Sequence, residues 1–373
     1  MKLGFSFLSI VLWSLITIIP AHSEEITMAI DSNQEAHQSE ENHAPKKFNP
    51  GEFIFDHIGD AHDWHIVTIG QKHISVPLPI ILFSRTRGQL FTFWSSKFHH
   101  GHDTYKGFKL VTEGDLKGKI VEVDENSRII DKPLPLDFSM TKNVVGILFS
   151  ISLLLIIFIG IANKYKANPH SAPTGIQSLM ETLILFVRDD IAKPSIGNKY
   201  YLKFTPFLLT IFFFIFLNNL LGLIPIFPAG ANITGNIAVT LVLAFVTLLT
   251  ILFNANKNFW KHIVNPPGVP MFLKLPIPIM PVVEAASWII KPAVLMIRLF
   301  ANILAGHMIA LVLFGLIFIF GTVNIYYGYG ISIISIMLTV FMTLLELLVA
   351  FIQAFVFTML SALFLGMATE EHH

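Results

Sequence analysis

Ala293-Val-Leu-Met-Ile-Arg298-Leu-Phe-Ala-Asn302-Ile-Leu-Ala-Gly-His307 is an apolar run interrupted by an arginine with no acid beside it. A guanidinium stays protonated at physiological pH, and near the centre of a bilayer it costs roughly 3 kcal/mol. A residue of this kind lines a water-filled or ion path; the alternative is a side chain that snorkels to the interface, which the apolar turns on both sides of Arg298 disfavour. The rest of the chain supports a membrane setting. It is 53% hydrophobic and 13% charged, whereas soluble domains carry roughly 25% charged residues.

Charge is unevenly distributed. Residues 1–140 hold 13 of the 25 Lys and Arg and 18 of the 25 acids, so a polar front precedes an apolar back. Zero formal net charge without a basic stripe argues against a nucleic-acid partner. The lack of cysteine excludes a disulfide framework and thiolate chemistry.

Residues 1–23 read as a signal peptide: Lys2, an apolar run from Leu3 to Pro20, then Ala21-His-Ser23 as a small-x-small site with cleavage after Ser23. An uncleaved first membrane helix is the alternative. Residues 24–50 are a disordered polar lead. Residues 51–140 change to short β-type runs, Trp64–Ile69, His73–Pro77, Gln89–Trp94 and Lys119–Val123, and predict a small exported β-rich domain. Histidine is abundant there, at His57, His62, His65, His73, His99, His100 and His102. His62-Asp-Trp-His65 and His99-His-Gly-His102 have spacings that zinc or copper accept, but without cysteine or a clean pairing of motifs, surface or packing roles are the better reading. No resident metal or other cofactor is expected.

Residues 141–373 form the membrane domain, predicted as all-α with five membrane segments. Asn143–Asn163 is long enough to cross a core of roughly 30 Å and ends in Lys164 and Lys166. Ile176–Ile191 is amphipathic, a surface or packed helix. Phe204–Ile224 and Ile233–Phe253 form a hairpin, and Val282–Phe320 and Ile331–Met367 are two helices of roughly 55 Å each, which must tilt. Tyr326-Tyr-Gly-Tyr-Gly330 reads as the turn between them. Loops 164–203 and 254–291 carry six and four basic residues, whereas 225–232 and 321–330 carry none. The positive-inside rule then sets the N-terminal extension in the periplasm and Glu370-Glu371-His372-His373 in the cytoplasm.

Polar residues within the two long helices obey simple arithmetic. In an antiparallel pair, residues at equal depth share a midpoint. His307 with Glu346 gives 326.5 and Arg298 with Gln353 gives 325.5, so each pair is predicted level. At ~100° per residue Arg298 and Asn302 share a face, His307 points away from it, and Glu346 and Gln353 lie ~20° apart. A histidine and a membrane carboxylate suit proton hopping near neutral pH, although a static His307–Glu346 bond that glues the helices is an alternative. Glu284, about 20 Å along the helix from Arg298, supplies a second acidic step, unless it is simply a solvated interfacial acid near Ser287 and Lys291. Two offset routes meeting at a fixed cation suit a device that must block direct proton passage. The chain has no carboxylate at the level of Arg298, which points to an acid on another subunit.

The stretch Glu284-Ala-Ala-Ser-Trp-Ile-Ile-Lys-Pro-Ala-Val-Leu-Met-Ile-Arg298-Leu-Phe-Ala-Asn302-Ile-Leu-Ala-Gly-His307, with Gln353-Ala-Phe-Val-Phe and Asn219-Leu-Leu-Gly-Leu-Ile-Pro225, resembles subunit a of the F-type ATP synthase. The resemblance covers about residues 140–373. It implies a non-catalytic stator subunit in the bacterial inner membrane that works with a c-subunit rotor ring, a b-subunit stalk, the remaining complex and the lipid bilayer. It also implies roles: Arg298 faces the rotor carboxylates with Asn302 as companion and Gln353 opposite, Glu284 and Ser287 belong to the cytoplasmic half-channel, and His307 and Glu346 form the outer pair. In other members the acid and histidine of that pair are exchanged between the helices, and some have Asp where this chain has Gly222. A self-contained ion-coupled secondary transporter is the competing class, but no internal repeat supports it. An exported metal-binding module on an anchor would not need five membrane segments.

Overall fold

The computed structural model describes residues 59–69, 72–101, 103–112, 114, 116–124, 129–130, 133–168, 172–224, 229–264 and 279–370. The expected signal peptide at 1–23, the expected polar lead at 24–50, His57 and the last three residues lie outside these.

The front of the described chain is β-rich. A hairpin of β1 (Asp63–Ile69) and β2 (Lys72–Pro77) carries an irregularity between His65 and Val67. It is followed by β3 (Pro79–Ser84) and β4 (Gln89–Trp94), a 3-10 turn at Ser95–Gly101, then β5 (Thr104–Tyr105), β6 (Phe108–Leu110), β7 (Ile120–Glu122) and β8 (Leu136–Asp137). The antiparallel sheet β4-β3-β8 stands beside the sheet β5-β6-β7. Strand β3 alternates strictly, burying Ile80 and Leu82 at 1% and 0% exposure against Phe98, Phe108 and Ile120. This strand organises the domain, yet it is absent from the β-type runs read in the sequence. Prolines at 77 and 79 bracket its start and mask its period.

The β region is tied to the first membrane helix, α1 (Lys142–Ala167), by hydrogen bonds across the chain. Asp60 Oδ1 accepts from the Asn143 N–H at 3.1 Å, the Lys142 N–H donates to the Ala61 carbonyl at 2.9 Å, and Thr141 Oγ1 accepts from the Val144 N–H. A carboxylate and a hydroxyl thus satisfy donors at a helix N-terminus that would otherwise be orphaned. Trp64 of β1 joins the membrane-domain core with Ile147 of α1.

Beyond α1, helix α2 (Ile176–Leu185) runs through a π-helical segment (Phe186–Ala192) into the short α3 (Lys193–Ile196). Val187, Ile191 and Ala192 are fully buried, so the amphipathic segment packs on its neighbours through its C-terminal half, while Ile176 and Leu179 stay exposed. The hairpin consists of α4 (Tyr201–Gly222) and α5 (Ile237–Asn254), and a short α6 (Lys257–Val264) precedes the long pair.

Helices α7 (Ile279–Val323) and α8 (Ile325–Thr369) have 45 residues each, roughly 67 Å, longer than the sequence boundaries implied. Their connection corrects the expected turn: Tyr326–Gly330 is helical, and the chain reverses at Asn324 alone. Asn324 is extended and its Oδ1 caps the Tyr326 N–H at 3.0 Å. The glycines that read as turn formers instead allow close helix contact, since a Cβ on Gly328 would lie 2.9 Å from Gly321 Cα. Five described helices are long and apolar enough to span a bilayer, α1, α4, α5, α7 and α8. The fold is thus a polytopic all-α membrane domain with a small β-rich region at its N-terminal side.

Candidate functional site

The C-terminal turns of α4, the 231–234 segment, and the middle of α7 and α8 enclose a cavity of about 300 Å³. Its walls include Asn218, Asn219, Asn232, Asn302, His307 and Glu346. The asparagines are fixed by the local backbone. Asn218 Nδ2 donates to the Phe214 carbonyl at 2.7 Å, Asn219 Nδ2 to the Ala350 carbonyl at 3.3 Å, and Asn232 Oδ1 accepts from the Gly235 N–H at 3.1 Å. Thr234 Oγ1 donates to Asn219 Oδ1 at 2.6 Å. These bonds join α4, the following loop and α8 around one chamber.

Three side-chain atoms among the cavity-lining residues are buried and unpartnered: Asn218 Oδ1, Asn232 Nδ2 and Glu346 Oε1. Orphaned polar atoms are costly in a dry interior, so a roomy chamber that carries several of them suits water and proton transfer better than apolar filling.

Glu346 lies against Gly306, where a Cβ would sit 2.6 Å from its Oε1. The pair 306 and 346 sums to 652, close to the 653 used for His307 and Glu346. Nearer the break, Ser335 Oγ donates to the Leu313 carbonyl, a sum of 648, so the register drifts slowly as the helices diverge from their turn. Extended beyond Gly306, a sum of 652 sets Arg298 level with Ala354, the neighbour of Gln353. Their environments differ: Gln353 is buried at 4% exposure, whereas Arg298 is exposed, and Asn302, also exposed, borders the chamber. Leu295 and Leu299, about 60° and 100° around that helix from Arg298, are buried. Among the described residues Arg298 makes no hydrogen bond or ion pair.

His307 faces α4 as well as α8. A Cβ on Gly222 would lie 3.5 Å from His307 Nε2, a proximity that no spacing rule within one helix could reveal. An acid at position 222 would therefore abut this imidazole.

Glu284 and Ser287 lie near the start of α7, half-buried. Lys291 is drawn to aromatic rings, its Nζ 3.9 Å from the Trp288 centroid, and Glu284 makes no ion pair among the described residues. In the β region His62 Nε2 is 2.7 Å from Asp137 and His99 Nδ1 is 2.7 Å from Asp103. No group of three metal-ligating side chains occurs among the described residues. The side chains of His65, His100 and His102 lie outside them.

Five helices long and apolar enough to span a bilayer, three of which border a chamber with His307 and Glu346, define a multi-pass membrane protein. A family model described as ATP synthase A chain matches residues 145–366. ATP synthase subunit a of Chloroherpeton thalassium is 43% identical over 244 residues, 63% of this chain and 69% of that protein. The namesake subunit of Pelodictyon phaeoclathratiforme is 41% identical over 289 residues, 73% of this chain and 81% of that protein. The chain belongs to the ATP synthase A chain family. It is accordingly a proton-translocating subunit of the synthase membrane sector, itself non-catalytic, and it works with the rest of that complex. A second model, described as a domain of unknown function, matches residues 53–138, nearly the whole β region.

Proposed function

We propose that this subunit conducts protons through two offset half-channels to and from carboxylates of a c-subunit rotor ring, coupling the ion gradient to ATP synthesis. The observation that carries the proposal is the separation of roles around α7: His307 and Asn302 share a chamber with Glu346, whereas Arg298 is exposed and lies outside that chamber's lining. In this reading a proton arrives from the periplasmic side through the chamber by way of His307 and Glu346. It neutralises a rotor carboxylate, travels with the ring, and leaves toward Glu284 and Ser287 on the cytoplasmic side. Arg298, permanently charged, favours the deprotonated rotor acid and repels a free proton, which closes the direct route. Gln353 of α8 is the glutamine opposite Arg298 in this reading. A b-subunit stalk holds the subunit against the ring.

The N-terminal extension lies in the periplasm in this reading and the C-terminus in the cytoplasm, as the distribution of basic residues requires. Domain limits follow the same reading: a signal at 1–23, a polar lead at 24–50, the β extension at 51–140 and the membrane domain from 141. Arg298→Ala tests the mechanism in reconstituted vesicles. ATP-driven pumping and proton-driven synthesis should both be lost, with passive proton leak through the membrane sector increased. Retained synthesis would overturn the proposal.

A further inference from the structure

The β region has one apolar face with no protein against it among the described residues. In the sheet β4-β3-β8, Phe83 pairs with Leu90 and Pro79 with Trp94, while the Phe138 and Met140 N–H groups donate to the Ile81 and Pro79 carbonyls. Residues directly opposite one another in an antiparallel sheet share a face, and successive side chains alternate. Leu90, Trp94, Phe138 and Met140 therefore lie on the same side, with Ile81 and Phe83 of the central strand between them. The other side carries Ile80 and Leu82 and is closed by the domain core.

On the open side Leu90 is 60% exposed, Trp94 57%, Phe138 49% and Met140 37%. A folded domain seldom leaves such a contiguous apolar surface to water; patches of this kind mark protein or membrane contacts. Position decides between them. Met140 stands two residues before Lys142, the first residue of α1, and the lipid-exposed surface of that helix continues through Leu148, Ile156 and Ile159. The row holding Trp94, Pro79 and Met140 is the one nearest the membrane helix, and tryptophan favours the water–hydrocarbon boundary. The row holding Leu90 and Phe83 lies about 14 Å further along the strands.

We propose that this sheet face lies on the bilayer, in the leaflet entered by the N-terminal end of α1, and seats the β extension on the lipid surface. The proposal does not depend on the proton route, nor on which compartment the extension occupies. It gives the 53–138 region a membrane-surface contact of its own, additional to the hydrogen bonds that tie it to α1.

The chain has no cysteine, so single substitutions report cleanly. Leu90→Cys, Trp94→Cys and Phe138→Cys would each carry a nitroxide in the whole complex, its other subunits freed of reactive cysteine, in vesicles of phosphatidylcholine and phosphatidylglycerol. Ile156→Cys on α1 is the lipid reference and Asp103→Cys, on an exposed turn, the water reference. ATP-driven pumping checks assembly of every variant. The expected result is collision with oxygen over a water-soluble nickel chelate at all three positions, in a ratio near that of Ile156. Chelate access at all three would overturn the proposal, as would lipid access at Trp94 with water access at Leu90, the signature of an upright sheet. Protection from both reagents would also overturn it, in favour of a protein partner or a second copy on this face.

Discussion

Gly306→Ala isolates the position of one carboxylate from its chemistry. A Cβ at residue 306 would lie 2.6 Å from Glu346 Oε1 and 3.2 Å from both Cγ and Cδ. Comfortable contact needs about 3.5 Å, so the carboxylate end must withdraw by roughly 1 Å. Because the obstacle is the end of a flexible side chain, a rotamer distortion of about 0.5–1.5 kcal/mol absorbs it. Alanine in place of glycine favours a helix by about 1 kcal/mol, so the two nearly cancel and thermal stability should change little. Transport should respond differently. Displacing a reacting group by about 1 Å costs up to the order of 100-fold in rate, and ATP-driven pumping in vesicles should fall between about 10-fold and 100-fold. Gly315→Ala, on the same helix with nothing within 4 Å of its added Cβ, is the matched control and should pump normally. Gly306→Ala that pumps like Gly315→Ala at unchanged stability would refute the reasoning, because the place of the Glu346 carboxylate would then be irrelevant to conduction.

Exchanging the outer pair, His307→Glu with Glu346→His, should retain substantial proton-driven ATP synthesis; a double variant as inactive as the worse single one would remove the relay pairing. The β region should be more resistant to unfolding at pH 6 than at pH 9, read by hydrogen exchange of β1 and β3 amides. Burial opposes charge on His62, but the hydrogen bond and charge of Asp137, with Asp60 and Asp63, outweigh it and raise its pKa above the ordinary 6.5. This contribution is complete below 6.5 and is lost as pH climbs through the raised value. On the acid side, burial works against the Asp137 carboxylate, yet His62 and Ser139 hold its pKa below 3.8, so its contribution persists above 3.8 and fades only as pH falls through the lowered value. Burial raises Asp60, which opposes that acid loss, and His62→Gln should flatten the alkaline decline. Gly366→Ala places a methyl on the Ser195 carbonyl of α3, a rigid backbone contact, and should lower complex stability by about 1–3 kcal/mol in thermal unfolding.

Sequence reading succeeded wherever one physical rule dominated. Span length and hydropathy located the membrane helices, because a bilayer accepts few alternatives. The level of His307 with Glu346 is expected from a shared midpoint near residue 326, and although the reversal is at Asn324, Gly306 against Glu346 matches that level to within one residue. Failures came where the context reversed a local signal. Tyr326–Gly330 has turn composition, but in a tight helix pair its Gly328 serves contact with Gly321, and a single capping asparagine makes the reversal. Strand β3 begins at a proline and was missed, although its buried face holds the β core together. The approach of Gly222 to His307 joins residues 85 apart on different helices, which periodicity within one segment cannot encode.

Arg298 shows how far the chain alone accounts for its own charges. The same helix buries Leu295 and Leu299 in the bundle and exposes Val294, Ile297 and Ala301 beside the arginine, so a small rotation of α7 would trade an outward apolar surface for a guanidinium among leucines. No described side chain offers it an anion, and Gln353 of α8 is buried. Set in lipid, that charge costs roughly 3 kcal/mol. The chamber of His307 and Glu346, by contrast, is lined by this chain's own α4, 231–234 segment, α7 and α8. In the proposed half-channel reading, proton access is therefore built into the subunit, whereas compensation of the arginine is left to whatever covers its outward face. Under the proposed mechanism a rotor carboxylate fills that role, and because each passing carboxylate must give up its proton to do so, the energetic need of Arg298 for an anion is itself what discharges the rotor.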